Sequence, residues 1–248
     1  MNCKIYLNVP FSEKEEAKNL GAKWNPKEKK WYYEGNISNL SKFGKWILPE
    51  NFYCLSFVFG YIYLIFAKRN CFKCKKDTTV VGIGVTDYIT IYDNEDEPRD
   101  FYIESSHYPK MSKIFDFNIG LPKSLLILLK KYGVYEDYSK IAGKTICNHC
   151  NHCGILQGNN YIFEEYNRPF NPVFETEEEL KNKVKEMNIL PIKINIDYGL
   201  PINIDLEDEY TFYLSNEPIL DELLINGELS TYILKYANKL QEIHIKIE

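Results

Sequence analysis

Acid–base side chains are scarce in this chain: its 248 residues include four histidines. Two of them, His149 and His152, sit inside a cysteine cluster, leaving His107 and His244, and a lone histidine is more often a surface or core residue than a general base. H-E-x-x-H, G-x-S-x-G, a phosphate-cradling glycine loop and a dinucleotide fingerprint are all missing, which removes the sequence basis for the enzyme classes they mark. The balance leans against an enzyme, and no small-molecule substrate is identified. A membrane span is missing too. The most apolar stretch, residues 52–67, has sixteen residues interrupted by Ser56 and Gly60, short of the roughly 20 a bilayer helix needs. Its seven aromatics favour two buried strands bent near Gly60. The opening MNCKIYLNVPFSEKEE reaches charge too soon for a secretory signal, so the expected location is the cytoplasm and no membrane partner is expected.

Cysteine is what the chain does have, seven in all. Four form two C-x-x-C pairs, Cys71-Phe72-Lys73-Cys74 and Cys150-Asn151-His152-Cys153. In a reducing compartment an odd total fits a metal site better than a disulfide framework. Two such turns can aim four thiolates at one ion about 2.3 Å away, which suits a structural Zn²⁺. The 75 residues between Cys74 and Cys150 would then be closed as a long loop. Metal binding, worth on the order of 10 kcal/mol, would contribute to folding the middle of the chain. The second pair stays open, because Cys147, His149 and His152 crowd it and Cys147-Asn148-His149-Cys150 is itself a C-x-x-C. Cys150 and Cys153 are preferred because Gly154 follows and can take the positive φ of a knuckle turn. Neither pair has the helix-start, βαβ setting of a redox motif. An open zinc position with His149 as a third ligand would permit catalysis, whereas four thiolates close the site. Cys3, Cys54 and Cys147 are read as free, partly buried thiols.

The expected fold class is α+β in three parts. Residues 1–50 form a small β-α-β-β module: a strand to Val9, a helix opened by a Ser12–Glu15 capping box and ended at Gly21, then two strands around Asn25-Pro26-Lys27-Glu28-Lys29. Residues 51–168 form a β-rich zinc-binding domain carrying a helical insertion. Its strands are expected at 78–85, 88–92, 101–104, 144–146 and 161–163, and its helix runs from Leu121-Pro122 to Gly133. The acidic stretch 93–97 reads as a solvated turn, since it lacks a calcium-loop pattern. Residues 169–248 form an acidic α+β part: a joint at Asn171-Pro172, a helix after a Thr176–Glu179 capping box with Leu180, Val184 and Met187 on one face, and strands through Ile192–Ile196 and Tyr210–Leu214. A closing helix carries Leu229 to Leu240. Charge is unevenly spread: residues 1–50 carry +3, residues 51–150 carry +2 and residues 151–248 carry -10.

The run YLNVPFSEKEEAKNLGAKWNPKEKKWYYEG, continued by Leu40, Phe43 and Trp46, resembles the domain-of-unknown-function family 5710 almost position for position. It matches the pattern L-x-V-P-x-x-E-K-x-x-A-K-x-L-G-A-x-W-[DN]-x-x-x-K-x-W over about a fifth of the chain. The resemblance implies a module of plasmid-type DNA primases and other mobile-element proteins. Its Lys-Trp hairpin is also similar, over a shorter stretch, to the DNA-gripping HepA-related domain of annealing helicases. The run CNHCGILQG resembles a zinc knuckle of proteins that carry the same module.

Two functional readings follow. In the first, the protein is a non-enzymatic, zinc-ribbon-like, nucleic-acid-associated protein of bacterial or mobile-element type. Lys23, Lys27, Lys29, Lys30 and Trp31 would meet DNA or RNA, with lysines on phosphates and the indole as a stacking surface; against it, Trp24 and Trp31 would serve as the module's hydrophobic centre and the lysines as a solvated face. In the second, the protein is an interaction or inhibitor protein of a mobile-element or defence system, and its acidic last third docks a basic protein partner.

Overall fold

The computed structural model describes residues 2–85, 87–94, 101–106, 112–114, 117, 121, 123–165, 168–170, 176, 178–179, 182, 188–194, 198–202 and 241–243. Among the described residues strands predominate and helices are few, in keeping with a mixed α+β class. In chain order the strands are β1 (Asn2–Leu7), β2 (Lys23–Asn25), β3 (Lys30–Asn36), β4 (Cys54–Val58), β5 (Tyr61–Asn70), β6 (Asp77–Val85), β7 (Tyr88–Asp93), β8 (Phe101–Ser106), β9 (Ser112–Ile114), β10 (Val134–Ser139), β11 (Gly143–His149), β12 (Leu156–Gln157), β13 (Asn188–Ile194), β14 (Leu200–Ile202) and β15 (Gln241–Ile243). The described α-helices are α1 (Lys14–Asn19) and α2 (Lys123–Lys131). The chain divides into two compact units that alternate along the sequence.

The first unit comprises Met1–Phe59, Asp87–His107 and Ile196–Glu207. Its antiparallel sheet β1-β3-β2 follows from period-two patterning: Cys3, Ile5 and Leu7 point inward, with Ile5 opposite Tyr33 and Leu7 opposite Trp31. Helix α1 ends as the sequence predicts. Gly21 has φ +103°, Ala22 N–H donates to Ala17 C=O at 2.9 Å and Gly21 N–H to Lys18 C=O at 3.0 Å. Its start differs from the expected Ser12 capping box. A tight turn over Phe11–Glu13 leads in, no side chain caps the helix, and the Glu13 carboxylate is drawn to the Trp46 indole N–H, 2.7 Å away. The module also gains an element beyond β-α-β-β, a run of 3₁₀ turns over Ile37–Trp46 that starts where Asn36 Oδ1 accepts from Ser38 N–H at 3.0 Å. This run buries Leu40, Phe43 and Trp46.

A second antiparallel sheet, β14-β4-β7-β8, completes the unit, and its Leu55, Phe57, Ile89 and Ile91 share one core with Ile5, Leu7, Tyr33 and Phe43. Gly44 is required there, because a Cβ at that position would run into the Phe101 ring of β8.

The second unit comprises Gly60–Thr86, Tyr108–Asn195 and Asp208–Glu248. Its main sheet runs β15-β13-β5-β6-β9, antiparallel except for the β13–β15 pair. The expected bend falls at Gly60, φ +69°, between β4 and β5. Helix α2 buries Leu125, Leu128 and Leu129 and stops at Gly133, φ +82°. A small sheet, β10-β11-β12, carries the second cysteine pair. Residues 161–163, expected as a strand, instead form a wide helical turn over Asn160–Glu164 in which Glu165 N–H reaches Asn160 C=O at 3.0 Å. The adjacent Ile162 and Phe163 are both buried. Phe163 stacks on Phe170, with ring centroids 5.0 Å apart, and a Cβ on Gly82 of β6 would lie 3.2 Å from the Phe163 ring.

The Thr176 capping box is described at its start, where Glu179 N–H donates to Thr176 Oγ1 at 3.2 Å. Leu180, Val184, Met187, residues 95–97, Asn171-Pro172, the alternation 210–214, the helix 229–240, His107 and His244 lie outside the described residues. Among the described residues no helix is long and apolar enough to cross a membrane.

Candidate metal centre

Each cysteine pair occupies a hairpin turn. Cys71–Lys76 joins β5 to β6 and Cys150–Ile155 joins β11 to β12, and the two turns are bonded alike. Cys71 N–H donates to Lys76 C=O at 2.9 Å and Lys75 N–H to Cys71 C=O at 3.0 Å. Cys150 N–H donates to Ile155 C=O, and Gly154 N–H to Cys150 C=O, both at 2.9 Å. The fifth residue of each turn is left-handed, Lys75 at φ +63° and Gly154 at φ +67°.

Side chains then fix one turn against the other. Asn148, on β11, donates its Nδ2 to Val81 C=O at 2.9 Å and accepts from Val81 N–H at 2.7 Å. Asn151 N–H donates to Thr78 Oγ1 at 2.9 Å, and His152 Nε2 donates to Asp77 C=O at 2.8 Å. These bonds bring the four sulphurs of Cys71, Cys74, Cys150 and Cys153 within 4.8 Å of one another. The Cys71–Cys153 separation is 3.8 Å and the Cys74–Cys150 separation 3.7 Å. A tetrahedron with bonds of about 2.3 Å has edges of about 3.8 Å; these two edges match it, and the four sulphurs lie close enough together to hold a metal ion.

The electrostatics suit a cation. Burial opposes ionisation of Cys71, but the amides of Cys74 and Lys73 and the neighbouring thiols outweigh it and pull its pKa down to about 6. Burial likewise opposes ionisation of Cys150, and the amides of Cys153 and His152 hold it below the ordinary thiol value. Despite the Lys76 amide, Cys74 is pushed up to about 11 by burial and by the thiols of Cys153, Cys150 and Cys71. Gln157, fully buried, donates Nε2 to Cys71 Sγ at 3.6 Å.

The three alternates are engaged elsewhere. Strand alternation puts Cys147 and His149 on the face of β11 opposite Asn148. There His149 stacks on Tyr135 at 3.6 Å and bonds Gly133 C=O through Nδ1 and Asp137 through Nε2, each at 3.2 Å. Cys147 Sγ lies 4.0 Å from His149 Nε2. Cys147, His149 and Asp137 are the residue types of a thiol-nucleophile triad, but burial and the Asp137 carboxylate push the Cys147 thiol up to about 11. A nucleophile needs the opposite shift. His152 is held by Asp77 C=O.

The residues singled out for nucleic acid divide between two faces and a turn. Lys23 and Lys30 stand on the outer face of β1-β3-β2; Lys23 pairs with Glu34 at 3.3 Å. Lys27 and Lys29 lie in the hairpin turn, where Asn25 Oδ1 accepts from the amides of Lys27 and Glu28 and Lys29 has φ +52°. Trp31 lies on the inner face, packed against the core and edge-on to Trp24 with centroids 5.5 Å apart.

The fold and site define a two-unit chain that pairs a small mixed module with a four-cysteine centre able to hold a metal. Residues 4–48 match the model of a domain of unknown function, DUF5710. Two curated relatives, both named DNA primase TraC and both from Escherichia coli, are similar to the same end of the chain. One is 46% identical over 43 residues, 17% of this chain and 4% of the relative; the other is 44% identical over 41 residues, 16% of this chain and 3% of the relative. No solved structure matches.

Proposed function

We propose that this chain is a cytoplasmic zinc-binding protein of bacterial or mobile-element type, with no reaction of its own, whose first module associates with DNA or RNA. The observation that carries this reading is the occurrence, in one chain, of a module similar to part of DNA primase TraC and a four-sulphur centre, two edges of which have tetrahedral length. Cys71, Cys74, Cys150 and Cys153 hold the ion, whose role is structural: four thiolates leave no open position for substrate or water. Lys23, Lys27, Lys29 and Lys30 supply charge for phosphates, and Trp31 supports their hairpin from its inner side.

Two measurements test it. Elemental analysis of the purified chain should give one zinc per chain, and a Cys74→Ser, Cys150→Ser variant should lose it. Gel-shift titration of the full chain against single- and double-stranded DNA and RNA should show binding that weakens as salt rises; absence of salt-sensitive binding to any of them ends the nucleic-acid reading. The charge of -10 over residues 151–248 supports a second reading, docking of a basic protein partner. Cross-linking from the acidic third to such a partner, by a chain that fails the gel-shift test, would favour it.

A further inference from the structure

We propose that the outer face of the sheet β1-β3-β2 is a binding surface for single-stranded nucleic acid, on which unpaired bases stack against Tyr6 and Tyr32 while Lys4, Lys23 and Lys30 meet the phosphates. The proposal rests on the nucleic-acid reading above and names the face and the substrate class.

The register carries it. Tyr6 pairs with Tyr32, Lys4 with Glu34, and Lys23 with Tyr32 on the other side. The residues alternating with the buried Cys3, Ile5 and Leu7 therefore form one surface with two aromatic rings at its centre. The ring centroids are 6.4 Å apart. Both tyrosines are half-buried and stand on the face away from the module's core. The orientation of Tyr6 is constrained: Asn25 Nδ2 donates to its hydroxyl at 3.2 Å, and Tyr198 sits edge-on to it with centroids 4.4 Å apart.

Cations border the rings. Lys4 Nζ lies 5.0 Å from the Tyr32 centroid and Lys30 Nζ lies 5.7 Å from that of Tyr6. A base arriving on a ring would displace the ammonium, because a base stack outweighs an exposed lysine–ring contact; the freed ammonium is then placed for the adjoining phosphate. Glu34 is the opposing charge on this face and is matched by Lys23. The face thus sets Lys4, Lys23 and Lys30 against Glu34, so the surface favours an anion. Unpaired bases fit better than a duplex, whose base faces are stacked on one another and closed to a protein ring. Trp31 cannot serve this surface, since its side chain lies on the other face.

Fluorescence anisotropy of the full chain with labelled oligo-deoxythymidine, and with a duplex of equal length, tests this directly. The single strand should bind more tightly than the duplex. Tyr6→Leu and Tyr32→Leu should each weaken binding about tenfold, and Tyr32→Phe should restore it. Lys30→Glu should weaken binding and reduce the salt slope by about one. Circular dichroism melts check that each variant is folded, and the lysine variant keeps the test decisive if a tyrosine variant is not. A chain that binds no nucleic acid overturns the underlying reading and this inference with it. A chain that binds with unchanged affinity in the folded variants, or that prefers the duplex, overturns this inference alone and leaves the other standing.

Discussion

At the scale of single residues, the two cysteine turns are one device built twice, and one copy is less well adapted. Each needs a left-handed residue at its fifth position; the second uses Gly154, and the first uses Lys75. A side chain in that region costs roughly 1–2 kcal/mol, which glycine avoids. Open space surrounds the Gly154 position, with nothing within 4 Å of an added Cβ, so any penalty there is conformational. Lys75→Gly should therefore be neutral to stabilising, and Gly154→Ala should destabilise by about 1 kcal/mol; urea titration of the zinc-loaded chain reads both. Equal losses from the two changes would mean that the turns are not equivalent. Gly154 was legible in the sequence because a glycine after C-x-x-C announces a left-handed turn. Its counterpart was hidden behind a lysine, and Gln157 gave no signal that its amide would reach a sulphur 86 positions earlier.

At the scale of elements, local pattern revealed β1 to β8, β11 and β13 but not β9, β10, β12, β14 or β15, and the long-range bonds decided what the strands do. Alternation located β1, the aromatic-rich apolar run around Gly60 located β4 and β5, and the run of leucines after Pro122 located α2. Local signals misled at two places: the Ser12–Glu15 pair forms no cap, the chain entering α1 through a tight turn instead, and the apolar run 161–163 lies in a helical turn. The choice between Cys147 and Cys150 could not be read from spacing, because both registers are C-x-x-C. Asn148 resolves it by using its side chain to satisfy both backbone groups of Val81, which turns Cys147 and His149 away and leaves Cys150 to begin the knuckle. Asn148→Ala would strand a buried N–H and a buried C=O, a loss of about 2–4 kcal/mol. It should also weaken zinc binding, although it removes no sulphur. Chelator competition separates the effects: reduced stability with unchanged zinc affinity would mean that Asn148 does not position the centre.

At the scale of the whole molecule, the described strands of the acidic last third, β13, β14 and β15, are part of the framework. Strand β13 pairs with β5 from Asn188–Phe66 to Lys193–Tyr61, and β14 pairs with β4 through Leu200, Pro201 and Ile202, with Leu200 and Ile202 buried. Each unit thus takes a strand from beyond residue 187. No local pattern discloses this: alternation marks a strand, but its partner lies over a hundred positions away, and the charge of the segment suggests a separate appendage. Deleting residues 169–248 would uncover an edge of β5 and an edge of β4, both rich in apolar residues, and exposed edges of that kind pair with other chains. The truncated chain should aggregate even when loaded with zinc, whereas charge-neutralising changes confined to residues 205–209 should leave it monomeric. Sedimentation of the two variants distinguishes a framework segment from a detachable docking tail. A monomeric, cooperatively melting chain ending at residue 168 would show that neither sheet needs its late strand.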